Sequence, residues 1–406
     1  MYLKFAWRYF KAKKSANAIN IISWVTAGVI AFSTMCQVLV LSVFNGFEGL
    51  VKSLYSNFYA DVKVVPAKGK TITLTQAQLN EIHQIPGVKG LSLDVEEKAL
   101  LQNGEQQTVV LLKGVDSNYY KVSGVPQKMY HGNFNTGTID NPKLVLGAGI
   151  ESAIGVQADR NLFPLTIFLP KKTNQANANP LSALSEGNAT TSGSFAIQQD
   201  FDNKYVITNI DFVKRQMNYQ PQEYSALEIS LLNPENFETF TKTLQNKLGD
   251  QYKVLTKFQQ NTSLYNSMRL EKWFIYAVLT LILIIAAFNM IGALTMLVLE
   301  KRKDISVLQA LGADKSLIKK IFLSEGLLLA VAGAGTGIIL ALIISFLQLK
   351  FHFIKLAGNS FLIDYFPVKL VLTDFILVAI TALIIAFTAS WFPAKKASQQ
   401  LFNLKA

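Results

Sequence analysis

The chain holds a single cysteine, Cys36, among 406 residues. That excludes an internal disulfide and a cysteine-based metal cluster. Histidine is nearly as scarce: His83, His131 and His352 lie far apart and offer no zinc-ligand spacing. Charged residues make up only 16 %, against roughly 25 % in a typical soluble protein. A soluble chain of this size would need more charge to cover its surface. Hydrophobic residues reach 50 %, which excludes disorder. Catalytic motifs are missing too, with no HExxH, CxxC or GxSxG. Lys68-Gly69-Lys70-Thr71 ends like a phosphate-binding loop, but Val64 stands where that loop needs glycine. Gly147-Ala148-Gly149 runs on into Ile150 and Glu151 and makes no dinucleotide fingerprint. The expectation is a chain with no catalytic residue, no metal site and no cofactor bound by itself.

What the chain does have is four long apolar runs, at 19–44, 272–299, 323–347 and 372–392. Each meets the length of about 20 residues that a helix needs to cross a bilayer. The first is the most polar, and it is too long for a signal peptide, so an uncleaved helix is expected. The formal net charge of +12 is unevenly spread. Residues 1–18 carry five basic side chains and no acid, 300–320 carry six basic and three acidic, and the tail 393–406 carries three basic and no acid. Residues 45–271 carry 21 of each sign. The positive-inside rule then puts three segments in the cytoplasm: an interfacial helix at 1–18, the loop 300–322 and the tail 393–406. Residues 45–271 and the short loop 348–371 fall on the opposite side. No zinc finger or recognition helix accompanies the basic excess, so nucleic acid is not an expected partner.

Residues 45–271 mix two periods. DVKVVP alternates like a strand, 73–88 reads as a helix started by Thr75 and stopped by Pro86-Gly87, and Asn103-Gly104 marks a hairpin. The expected fold class is a membrane protein: four transmembrane α-helices with a large α+β periplasmic domain inserted between helices 1 and 2. That domain is read as two lobes around 117–143. The low-complexity stretch 173–194 reads as a surface loop. The first and second spans are expected to continue outward as helices. In the third span, Gly333 and Gly337 belong to a small-residue face suited to close helix packing, within the chain or between subunits.

The loop after the second span is too regular for a passive connection. Ile305, Leu308 and Leu311 recur every three residues, and Gly312 stops the helix they form. The pattern of Glu300, Lys301, Arg302, Ile305, Leu308, Ala310, Leu311 and Gly312 resembles the coupling segment of FtsX-like ABC transporter permeases. The stretch 6–32, the motif VLSVFNGFEGL at 40–50 and the ending FPAKKA at 392–397 are similar to the lipoprotein-releasing permeases of that family, LolC and LolE.

The resemblance implies a permease subunit of an ATP-driven complex in the bacterial inner membrane, extracting acylated lipoproteins for delivery to the outer membrane. Its implied partners are a cytoplasmic ABC ATPase dimer, a second permease as heterodimer or homodimer, the lipoprotein cargo and a periplasmic lipoprotein carrier. ATP and magnesium would sit on the ATPase. Glu300, Arg302, Asp304, Ile305, Leu308, Leu311 and Gly312 would dock on that ATPase. Val40, Val43, Phe47, Met290 and Leu294 would line the path of cargo or its acyl chains. The same family also implies two alternatives, a MacB-like efflux permease and an FtsX-like non-transporting activator of a periplasmic hydrolase.

Overall fold

The computed structural model describes residues 17–160, 163–172, 183–233, 237–356 and 364–399. The helix expected at 1–18 falls almost wholly outside them, as does the second half of the expected tail, 400–406. In chain order, α1 (Asn17–Phe58) is followed by β1 (Val62–Pro66), β2 (Ile72–Thr73) and α2 (Gln76–His83). The hairpin β3 (Val88–Asn103) and β4 (Gln106–Val115) comes next, then β5 (Met129–Gly132), β6 (Lys143–Gly147) and α3 (Ala148–Ala153). After these come β7 (Leu165–Pro170), β8 (Leu184–Phe195), α4 (Gln199–Asp202), β9 (Tyr205–Asn209) and α5 (Ile210–Met217). The series closes with β10 (Glu223–Tyr224), β11 (Ala226–Leu231), α6 (Phe237–Leu248) and β12 (Tyr252–Thr256). Four helical elements remain: α7 (Thr262–Glu300), α8 (Arg302–Ala310), α9 (Lys315–Phe351) and α10 (Leu372–Ser398). The chain divides into two compact units, one of residues 51–265 and one of residues 1–50 with 266–406.

Among the described residues, α1, α7, α9 and α10 are the four helices long and apolar enough to cross a membrane. α1 does not break at Asn45-Gly46. Gly46 is held against the carbonyl of Pro367, where an added Cβ would lie 2.1 Å from the oxygen. Only glycine lets the backbones meet that closely. α9 starts cleanly because the Asp314 side chain accepts a hydrogen bond from the Leu317 amide at 2.8 Å. The bundle interior is built mainly of alanine with larger apolar residues between: Ala27, Ile30, Leu283, Met290, Leu294, Leu329 and Ala386 share one buried cluster.

The unit of residues 51–265 is α+β. Ten of its strands form one sheet in the order β12-β1-β11-β3-β4-β9-β6-β8-β5, with β7 paired to β3 and β8. β3 and β4 pair residue for residue from Asp94↔Val115 to Asn103↔Gln106, and Gly104 takes the positive φ of +59° that the tight turn requires. Thr75 caps α2 in a capping box with Gln78.

Two readings of this unit change. The sheet is continuous instead of forming two lobes, and 117–143 supplies 3-10 turns at Tyr119–Lys121 and Val125–Gln127 and the edge strand β5. The stretch 173–194 is not all loop, because β8 occupies its second half. Ser185, Gly187 and Ala189 are the inward-facing positions of β8. They are small because α5 lies directly on the strand: a Cβ on Gly187 would sit 3.0 Å from the Phe212 ring and 2.7 Å from Gln216. A strand that must admit a helix this closely carries little hydrophobicity to betray it.

The sheet buries a charge network around Lys63 and Lys113. Lys113 donates to the Glu228 carboxylate at 2.6 Å, and Lys63 lies 3.1 Å from Asp94 and 3.5 Å from Glu228. Lys113, Asp94 and Glu228 are essentially inaccessible. Burial disfavours an ionised Asp94, but Lys63 and Lys113 outweigh it and hold the carboxyl below its usual range. Burial lifts the Glu228 carboxyl. Lys63 also reaches the partly exposed Glu96 at 3.8 Å at the edge of the set, while Lys113, Asp94 and Glu228 are closed to any substrate. Removing one partner of such a set costs about 3–5 kcal/mol, so its role is to hold β1, β3, β4 and β11 in register.

Candidate functional site

The segment between α7 and α9 is a short helix with two distinct faces. Ile305 is buried between Leu297, Val298, Ile318, Phe322, Ala394 and Ala397, so it anchors α8 to the helix bundle and presents nothing outward. Leu308 is half-buried, whereas Leu311 is 79 % and Val307 58 % exposed. Val307 and Leu311 stand four apart and make the apolar part of the outward face. Arg302 and Gly312 are exposed on the same short segment. Asp304 pairs with Lys301 at 3.1 Å, and Glu300 is half-buried at the end of α7. Gly312 has φ +91° and open space around it. Its amide donates to the Gln309 carbonyl and that of Ala313 to the Leu308 carbonyl, which stops the helix. Val307 was not singled out from sequence, because the three-residue spacing of Ile305, Leu308 and Leu311 drew the apolar face one position off. Its own four-residue spacing to Leu311 was the available signal.

The other singled-out residues separate into two places. Val40 is exposed, and Val43 and Phe47 are half-buried on the same helix. The Phe47 ring stands edge-on to Phe366 at 5.8 Å. Met290 and Leu294 lie in the buried alanine-rich interior instead and share no surface with them. Gly333 and Gly337 face α1: a Cβ would lie 2.8 Å from the Ala27 oxygen and 2.3 Å from the Ala31 oxygen. Gly335 has nothing within 4 Å. Gly337→Ala should therefore push α1 and α9 apart and lower the thermal stability of the purified protein. Gly335→Ala should leave it unchanged or raise it, since alanine favours helix by up to about 1 kcal/mol.

One polar cluster escaped the sequence reading. Asn45 of α1 donates to Asp374 of α10 at 2.6 Å, and Lys272 of α7 donates to Asn45 at 2.8 Å and to Asp374 at 2.9 Å. Asn45 and Asp374 are buried. The cluster ties three helices at one end of the bundle, beside the point where the Lys369 amide donates to the Ser42 carbonyl. Nothing in the spacing of 45, 272 and 374 announces it. Among the described residues no group of three or more histidine, cysteine, aspartate or glutamate side chains could hold a metal ion.

The family model of the FtsX-like permease C-terminal domain matches residues 276–401, the stretch that runs from α7 through α8 and α9 to the end of α10. Residues 276–401 form an FtsX-like permease domain. A further likeness extends along almost the whole chain. The lipoprotein-releasing system transmembrane protein LolC of Neisseria meningitidis is 27 % identical, aligned over 97 % of this chain and 95 % of its own. LolE of Haemophilus influenzae is 25 % identical over 97 % and 96 %. The periplasmic region of MacB from Actinobacillus actinomycetemcomitans superposes at a TM-score of 0.34 with 13 % identity, over 50 % of this chain and 92 % of that chain. An FtsX-like permease is a multi-pass membrane subunit of an ABC transporter and is not itself the catalytic subunit, in keeping with the four apolar helices.

Proposed function

We propose that this permease belongs to an ATP-driven complex of the bacterial inner membrane that releases acylated lipoproteins toward the outer membrane. The observation that carries the reading is similarity to permeases of that name along 97 % of the chain. In this reading 51–265 is the periplasmic domain and 300–312 docks on a cytoplasmic ABC ATPase dimer, which binds ATP and magnesium. A second permease, the same chain or a relative, completes the membrane part, and a periplasmic carrier receives the cargo.

The energetics make such a machine necessary. Drawing acyl chains out of a bilayer costs ~0.8 kcal/mol for each CH₂, so release of a multiply acylated protein is far too slow without a coupled energy source. An apolar wall lowers that cost. Val40 and Val43 of α1, together with the exposed Phe274, Val278 and Leu281 in the first half of α7, supply surface of that kind. A cysteine placed at Val43, with Cys36 replaced, should crosslink to lipoprotein in the nucleotide-free complex and several-fold less after ATP binding. Release of lipoprotein from proteoliposomes to a soluble acceptor, dependent on ATP, is the direct assay. If no lipoprotein copurifies or is released, the reading fails.

A further inference from the structure

At the end of the bundle that carries α8, two helices each bring lysines to the stretch that holds one exposed tryptophan. Ile318 and Phe322 of α9 are buried with Ala394 and Ala397 of α10, so the start of one helix lies beside the end of the other. The Lys319 ammonium sits 3.4 Å from the centre of the Trp391 ring, a close cation–π contact. Lys320, next to Lys319 in sequence, and Lys395 and Lys396, one turn beyond Trp391 in α10, are exposed. Among the described residues none of these four lysines makes an ion pair with a carboxylate; the pair described on this segment is Lys301–Asp304.

The aromatic side of the cluster continues a lipid-type surface. Ile376, Ile380, Ile384, Phe387 and Trp391 are exposed and recur at three or four residues, which is one face of α10. Lys395 is the next position of that stripe. An apolar stripe that ends in tryptophan and then lysine matches the boundary between acyl chains and headgroups. The ammonium groups then stand where a phosphate would lie, and the Lys319–Trp391 contact sets both helices to the same depth.

We propose that Lys319, Lys320, Lys395 and Lys396 with Trp391 form a binding site for the headgroup of an anionic phospholipid. The exposed Trp391 and Phe392 favour a lipid over a soluble protein, whose contact would not need an apolar face continuous with the helix stripe. The site is separate from the cargo path and stands whether or not the permease releases lipoproteins.

The test uses the full-length permease, purified in mild detergent, with cardiolipin or phosphatidylcholine added and retained lipid counted by native mass spectrometry. The wild type should retain cardiolipin and not phosphatidylcholine. Retention should fall about fivefold for each lysine removed in the series ending at Lys319→Gln/Lys395→Gln/Lys396→Gln. The matching arginine variants should keep it, as should the control Lys242→Gln/Lys253→Gln in the unit of residues 51–265. Should the triple variant fail to assemble, Lys396→Gln alone carries the comparison. Equal retention by wild type and variants, or equal binding of phosphatidylcholine, overturns the proposal. So does a variant that keeps cardiolipin but no longer copurifies its ATPase, since the lysines would then serve a protein contact.

Discussion

Val307→Asp combined with Leu311→Asp should abolish stimulation of the partner ATPase while the permease still folds and inserts. Both side chains are exposed on α8 and available to fill a shallow groove. Each buried aliphatic side chain contributes about 1.5–3 kcal/mol to a contact, and each 1.4 kcal/mol is a factor of ten in affinity. Losing two, with a carboxylate put in each place, should weaken docking by at least about a hundredfold. Leu308→Asp is expected to act in the same direction but less cleanly, because Leu308 is half-buried against the permease itself. Arg302→Gln should weaken docking less, since rim charges set orientation and on-rate more than affinity. The measurement is copurification of the ATPase with each variant and its rate of ATP hydrolysis. Full binding and full stimulation in the double variant would remove α8 from the coupling role.

Lys272→Met should be the most damaging single change to the helix bundle. It leaves the buried Asp374 carboxylate with Asn45 as its remaining side-chain partner. An uncompensated buried charge costs about 3–5 kcal/mol, a large part of a typical protein's stability. The same logic predicts rescue: Lys272→Met with Asp374→Leu removes both charges and should recover most of the loss. Thermal denaturation of the detergent-purified protein reads both variants. A Lys272→Met protein as stable as the wild type would show that water or lipid compensates Asp374, and the cluster would then have no structural weight.

Much of this protein was legible in the linear sequence, because the signals involved are local or additive. Four apolar runs give four long helices by length and hydropathy alone. Thr75 before a helical pattern gives a capping box, and Asn103-Gly104 between alternating residues gives a hairpin. Gly312 after a short amphipathic run marks the end of α8. The coupling pattern at 300–312 and the ends of the chain carried the family resemblance, since those motifs are contiguous.

Tertiary structure alone decided what depends on residues far apart in the chain. β8 was hidden because its inward positions had to be small to admit α5, so the strand lacks the usual apolar alternation. Ile305 turns inward instead of outward because the buried face of α8 is set by Ile318, Phe322 and Ala394 on other helices. Buried charge is the clearest case. Lys113, Asp94 and Glu228, like Lys272 with Asp374, read as ordinary polar residues until the fold brings opposite charges within about 3–4 Å, where low dielectric makes them costly to separate. Lys319 and Trp391 follow the same rule, since they become neighbours only when α9 and α10 pack side by side.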